Sequence, residues 1–323
     1  MRVFFWRGVR LGLSSGVVVG LVLAASAACG GNDDGDDSGK VQVVTTLPLF
    51  ADFVREVGGE RVEVTSLVPP GADPHTFEPS PSDVKKVAQA DIAFANGLGL
   101  EPSATRLIEA NLPDGAPFVK LGEEALKEST GASLGYSDPH LWMDPTLGRE
   151  YARAVMISLN ALDADHASTY KDNMTRYGEE FNSLRSILHE AIAAVPADRR
   201  KLVTTHDAFT HLADSLRDRD PVSGAVVEFE IVAVVVESPG QEPSPEDVAN
   251  LTRAIEDQGV PAVFREPQID AEGRILEQAA EDAGVQVCTL YSDSLDDKVT
   301  SYIEMMRFNA DEIARCLGGD SGG

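Results

Sequence analysis

Val41-Gln42-Val43-Val44-Thr45-Thr46 is a β-branched run, followed at residues 49–57 by a helix-compatible stretch that Gly58-Gly59 brings to a stop. That is one βα unit. Residues 62–68 and 91–95 give two further strand signals, separated by a helix over 82–89 that Ser80-Pro81-Ser82-Asp83 introduces. Alternating strands and helices predict a mostly parallel sheet. From Pro145 the pattern changes to long helical stretches. In residues 167–194, Tyr170, Met174, Tyr177, Phe181, Leu184 and Leu188 recur at helical spacing, and at 1.5 Å per residue such a helix reaches roughly 40 Å, enough to run along two lobes. The βα pattern then resumes at 202–205, 231–236, 262–264 and 285–290. The expected fold is α/β. Two lobes, residues 41–165 and 196–323, each hold a mostly parallel sheet flanked by helices, joined by a long connecting helix at 166–195. The two lobes read as distant structural duplicates.

The chain has 323 residues, 43% of them hydrophobic, which is too apolar for general disorder. With 53 acidic against 27 basic residues, the net charge of -26 disfavours nucleic acid and anionic membrane surfaces and attracts cations. Residues 1–28 read as an export signal: Arg2, Arg7 and Arg10 precede an apolar stretch, broken by Gly12, Gly16 and Gly20, that ends in Ala24-Ala25-Ser26-Ala27-Ala28. Ser26-Ala27-Ala28-Cys29 resembles a bacterial lipobox, with Cys29 the lipid acceptor, although Ser26 stands where Leu is usual; ordinary cleavage near Ala28 is the alternative. Residues 29–40 read as a disordered acidic tether. Its four Asp residues lack the spacing and the closing Glu of a calcium loop. Cys288 and Cys316 remain as an even pair in an exported chain, either bridged or as two separate buried thiols.

Three histidines stand in suggestive places. His75 lies in a proline-rich loop after the strand at 62–68, His140 lies between Pro139 and Pro145, and His206 directly follows the strand at 202–205. Asp293 follows the strand at 285–290. Ends of strands are where open α/β sheets present ligand sites, and the Asp-Pro-His sequence at 73–75 and 138–140 preorganises the imidazole. Three imidazoles and a carboxylate suit Zn²⁺. On spacing alone the signal is weak: 65, 66 and 87 residues separate successive candidates, and a lone His in such a loop is more often a surface residue or a satisfied one. His166, His189 and His211 read as structural, His211 because five residues turn it to another face from His206. Glu228 and Glu230 read as a solvated strand face.

Residues 41–317 resemble the zinc/manganese class of ABC-transporter solute-binding proteins, the metal-binding lipoproteins. The resemblance is carried by Thr45-Thr46-Leu47-Pro48-Leu49, Pro74-His75-Thr76-Phe77-Glu78-Pro79-Ser80-Pro81-Ser82-Asp83, Asp138-Pro139-His140-Leu141-Trp142-Met143-Asp144-Pro145, Thr205-His206-Asp207-Ala208-Phe209, Ser238-Pro239-Gly240-Gln241-Glu242-Pro243-Ser244, Glu266-Pro267-Gln268 and Tyr291-Ser292-Asp293-Ser294-Leu295. It implies a metal site in the cleft between the lobes, with ligands His75, His140, His206 and Asp293. It also implies a high-affinity receptor, not an enzyme, that captures Zn²⁺ (Mn²⁺ less favoured) and hands it to a permease and its ATPase. The protein would be a monomer, lipid-anchored on the outer face of the cytoplasmic membrane. Members that serve manganese usually carry a carboxylate where His206 stands. A bridging cysteine near the chain end is common in zinc members, its usual partner lying near Ala262, so Cys288 would have to substitute for it.

Two departures stand out. The His-rich loop frequent in zinc members is missing from residues 126–137, and the connection at 217–230 is longer than expected. Two other readings compete with transport. A zinc hydrolase needs an open coordination position and a general base. Asp293 as fourth ligand closes that position, and Glu266 is better employed in holding a ligand's far side. In a metal-stabilised adhesin, the ion would serve structure only.

Overall fold

In the computed structural model the described residues are 39–130, 138–218, 222, 224, 226–241 and 243–318. The expected export signal, Cys29 and the tether up to Ser38 lie outside them, as do residues 131–137 and part of the 217–230 connection.

Two four-stranded parallel sheets carry the fold. In the first, β1 (Val41–Thr45) pairs with β2 (Val62–Ser66) on one side and β3 (Ile92–Ala95) on the other, and β4 (Phe118–Lys120) extends the sheet beyond β3. In the second, β5 (Lys201–His206) lies between β6 (Glu230–Val236) and β7 (Ala262–Arg265), with β8 (Gln286–Thr289) outermost. The orders are β2-β1-β3-β4 and β6-β5-β7-β8, so the strand order of each sheet reverses between its first and third strands in sequence, the place where such sheets bind ligands. β3 is buried along its whole length, as expected for a parallel strand covered on both faces.

The two halves match in detail. Thr45 Oγ1 donates to the Leu47 carbonyl at 3.0 Å and Thr204 Oγ1 to the His206 carbonyl at 2.8 Å. Thr46 donates to the carboxylate of Glu101, which follows β3, and Thr205 to that of Glu266, which follows β7. By this correspondence His206 occupies the place that Leu47 holds in the first lobe. Burial drives the Glu101 carboxyl up to about 7, against the hydrogen bonds from Asn96 N–H and Thr46.

The helices are α1 (Pro48–Gly58), α2 (Pro81–Ala88), α3 (Pro102–Asn111), α4 (Leu121–Thr130), α5 (Pro145–Leu162), α6 (Ala167–Ala194), α7 (Thr210–Arg217), α8 (Pro245–Gln258), α9 (Asp270–Ala283) and α10 (Tyr302–Gly318). Proline opens α1, α2, α3, α5 and α8, where its missing N–H costs nothing and its φ already suits the helix. Asp144 caps α5, accepting the Thr146 N–H at 2.7 Å.

The 28 residues of α6 form the expected spine, about 42 Å long at 1.5 Å per residue. Its buried stripe from Tyr170 to Ile192 joins one hydrophobic core with Phe50 and Phe53 of α1, Trp142, Tyr151 of α5, Tyr302 of α10, and Leu202 and Phe264 of the second sheet. Phe53 and Tyr302 stand 5.1 Å apart by ring centroid. The start of α10 thus returns to the first lobe, where Asp52 accepts the Tyr302 N–H at 2.9 Å. Burial raises the Asp52 carboxyl to about 7. Cys288 of β8 and Cys316 of α10 are joined as a disulfide, their Cα atoms 6.7 Å apart.

Candidate metal site

Asp73-Pro74-His75 and Asp138-Pro139-His140 fold the same way. In each, Asp Oδ1 accepts the backbone N–H of the histidine two residues on, at 3.0 Å, forming an Asx turn whose middle residue is a φ-restricted proline. Each imidazole is therefore presented by a braced loop. His206 is the last residue of β5, and Asp293 follows β8 in a loop anchored by the Trp142 indole N–H, which donates to the Ser292 carbonyl at 3.0 Å.

These four side chains meet. His140 Nε2 is 3.3 Å from both His75 Nε2 and His206 Nε2. Asp293 Oδ2 lies 3.6 Å from His75 Nε2 and 3.2 Å from His206 Nε2, and Oδ1 lies 3.4 Å from His140 Nε2. A tetrahedral ion with ligands at ~2.0–2.1 Å has ligand-to-ligand edges of ~3.3–3.4 Å. The measured separations bracket that value. His140, His206 and Asp293 are 2%, 0% and 0% exposed.

The tautomers can be assigned from the opposite ring nitrogens. His140 Nδ1 donates to Asp138 Oδ1 at 2.8 Å, His206 Nδ1 to Glu266 at 3.0 Å, and His75 Nδ1 faces Ser238 Oγ at 3.5 Å. Protons held on Nδ1 leave the Nε2 lone pairs converging on one point. The buried Asp293 oxygens have no hydrogen bond of ordinary geometry among the described residues. Converging lone pairs beside an unpartnered buried carboxylate are a cation's donor set.

The electrostatics agree. Burial opposes ionisation of Asp293, yet the neighbouring His140 and His206 outweigh it and hold the carboxyl well below its usual range. Burial likewise opposes the His206 imidazolium, but Glu266 and Asp293 outweigh it and raise this imidazole well above its ordinary value.

Glu266 is completely buried. Besides His206 Nδ1 it accepts the hydroxyls of Thr205 and Ser292, and Gln268 Nε2 donates to Ser292 Oγ at 2.8 Å. One network therefore holds His206 and the loop of Asp293 together. Asp138, Thr205, Ser238 and Ser292 all fall inside motifs visible in the sequence, but their contacts depend on the folded chain. His211 is outside the four-residue cluster, and its Nε2 stops 3.3 Å from Asp138 Oδ2. His189 is buried in α6 away from the cluster, and His166 pairs with Asp163 at 2.8 Å. The cluster opens into a cleft of about 380 Å³ lined by His75, Leu98, Asp138, His140, Asp207 and Ser238.

Residues 43–316 match the family model of ZnuA, the periplasmic component A of a zinc-uptake complex. The chain belongs to the ZnuA family. It is 31% identical over 301 residues to the metal ABC transporter substrate-binding lipoprotein FimA of Streptococcus parasanguinis, covering 90% of this chain and 93% of that protein. It is 29% identical over 310 residues to the manganese ABC transporter substrate-binding lipoprotein PsaA of Streptococcus pneumoniae, covering 93% and 96%. Among solved structures, the periplasmic zinc binding protein TroA of Treponema pallidum superposes with a TM-score of 0.77 at 28% identity, over 87% of this chain and 100% of that one. ZnuA-family proteins are substrate-binding components of metal uptake systems and not enzymes, so the hydrolase reading is set aside.

Proposed function

We propose that this ZnuA-family chain is the receptor of a metal-uptake ABC transporter, and that it captures Zn²⁺ in preference to Mn²⁺ through His75, His140, His206 and Asp293. It then delivers the ion to a membrane permease driven by its ATPase. The observation that carries this reading is the meeting of three Nε2 atoms and one carboxylate at separations of 3.2 to 3.6 Å. Relatives differ in the metal they are named for, manganese in PsaA and zinc in TroA, so the donor set has to decide. Manganese favours oxygen ligands and higher coordination, whereas an N₃O tetrahedron suits zinc. His206, held from behind by Glu266, supplies the third nitrogen.

Capture and release are served by the same geometry. The net charge of -26 draws cations towards the cleft. The His75 side chain, 8% exposed, is the ligand nearest solvent and the natural point of entry and exit. In this reading the protein is a monomer that works outside the cell membrane, tethered by a lipid on Cys29.

Calorimetric titration of the stripped protein with zinc, on wild type and on His140→Ala, tests the assignment. Wild type should bind one ion per chain, and the variant should lose affinity by orders of magnitude while its circular dichroism is unchanged. Equal affinities would reject the site. A stripped wild type that unfolds would favour the adhesin reading, in which the ion serves structure.

A further inference from the structure

Asn96 directly follows β3, and both it and Tyr151 of α5 are 0% exposed. Asn96 Nδ2 donates to the Pro139 carbonyl at 3.0 Å and to the Gly97 carbonyl at 3.1 Å. Both partners can only accept, so the orientation of the amide is fixed: its nitrogen faces the carbonyls, and its Oδ1 accepts the Tyr151 hydroxyl at 2.7 Å. The backbone of Asn96 is held as well. Its N–H donates to Glu101 Oε1 at 2.6 Å, and its carbonyl accepts the Gly122 N–H at 3.0 Å. Gly122 keeps this space open, because a Cβ there would lie 2.9 Å from both the Asn96 carbonyl oxygen and the Tyr151 hydroxyl. The Pro139 carbonyl and the His140 N–H belong to one planar peptide unit. Asp138 Oδ1 accepts the N–H at 3.0 Å. The peptide that leads into His140 is therefore clamped at both ends, by Asp138 from its own loop and by Asn96 from the first sheet.

We propose that Asn96 is a positioning residue of the metal site, gripping the peptide before His140 so that it aims that imidazole, with the Tyr151 hydroxyl keeping the amide turned the right way. The inference rests on the metal-receptor reading of the cluster. Held only at its N–H end, by a side chain of the same loop, this peptide can tilt and carry the His140 Cα with it. Asn96 Nδ2 ties the other end to the end of β3, a strand buried along its whole length. Asp138 thus fixes the ring through Nδ1, and Asn96 fixes the backbone on which the ring stands. Loss of the group that orients a ligating histidine typically lowers metal affinity about 10- to 100-fold, and Asn96 acts through the backbone, at the lower end of that range.

The test uses the full chain, stripped of metal, with zinc as probe. Asn96→Ala is made in the wild-type protein and in His140→Ala. Zinc affinity is measured by competition with a chromophoric chelator, the ligand field by the visible spectrum of the Co²⁺ form, and the fold by circular dichroism. Because Asn96→Ala leaves two buried carbonyls without their donor, the metal-free melting temperature should fall, and that fall alone does not bear on positioning. The expected result is about a 10-fold loss of zinc affinity and a shifted Co²⁺ spectrum in the wild-type background. In His140→Ala, where there is no imidazole left to aim, Asn96→Ala should cost no further affinity. Wild-type affinity and spectrum in Asn96→Ala would overturn the proposal. So would an equal loss in both backgrounds, because Asn96 would then support the fold at large and not His140. If Asn96→Ala does not fold, Tyr151→Phe, which frees the amide to turn, decides on the same terms: a loss confined to the background that has His140 is expected, and no loss or an equal one overturns the proposal. Failure of the wild-type protein to bind zinc would instead overturn the receptor reading, and this inference with it.

Discussion

Replacing Glu266 by Gln removes one buried negative charge and turns one of the two oxygens that accept from Thr205 and Ser292 into an NH₂ group, while the remaining amide oxygen can still accept His206 Nδ1–H. The carboxylate oxygen lies 3.0 Å from Nδ1. Adding the width of the ring and a metal–nitrogen bond of ~2.0–2.1 Å places it roughly 7 Å from the bound ion. At an effective dielectric of about 20, a unit charge at roughly 7 Å contributes about 2.4 kcal/mol. Glu266 favours the competing proton on His206 as well as the metal, so near neutral pH only the difference between a divalent ion and a proton counts, one unit of charge. The expected loss is close to 50-fold at about 1.4 kcal/mol per decade, inside the range known for such supporting groups. Competition titration against a zinc-responsive chelator at neutral pH reads this directly. Wild-type affinity in Glu266→Gln would show that the carboxylate does not support the ligand electrostatically. A loss of several thousand-fold would show that it positions His206 by more than its charge.

His206→Glu converts the donor set to two nitrogens and two carboxylates, and should narrow or reverse the difference between the melting-temperature rises given by equal concentrations of Zn²⁺ and Mn²⁺; an unchanged difference would remove His206 as the selectivity determinant. Binding should weaken as pH falls, with protons released from His206, whose raised folded-state value means a proton must leave before the metal enters; calorimetric heats that do not depend on the ionisation enthalpy of the buffer would contradict this. Glu101, raised to about 7 from 4.5, contributes its stability below the unfolded value and loses it as pH rises through about 7. Glu101→Gln should therefore gain on wild type by about 3 kcal/mol between pH ~4.5 and ~8 in denaturant unfolding of the metal-free protein, whereas a pH-independent difference would refute the assignment. Reduction of the Cys288–Cys316 bridge, with a sequence separation of 28, should cost about 4 kcal/mol by chain entropy; two free thiols in the unreduced protein would show that no bridge forms.

Much of this fold is legible in the sequence because its signals are local. The β-branched run of β1, the apolar run of β3 and the stripe from Tyr170 to Leu188 on α6 each specify their element from within a short window. β4 is not legible. It is three partly buried residues, Phe118-Val119-Lys120, at the outer edge of the sheet, too short for any periodicity. The ligands divide along the same line. Asp-Pro-His, read twice, announces two braced imidazoles, but nothing in spacings of 65 to 87 residues brings four side chains together. That convergence comes from sheet topology, and in the sequence it was visible only through resemblance. His211 shows the limit most clearly. His206 ends β5 while His211 lies on α7, so helical spacing does not relate the two, and the neighbour of His211, Asp138, lies far back in the chain and is brought near it only by tertiary packing.

A zinc receptor site made of three imidazoles and one carboxylate should hold a single ion and release it on chelation. The most direct measurement is elemental analysis of the protein purified without added metal, followed by titration of the stripped form with zinc and manganese in competition. Close to one zinc per chain is expected as isolated, with zinc displacing manganese from the stripped protein at equal concentration. Manganese retained against zinc, or no ion bound at the cluster, would contradict it.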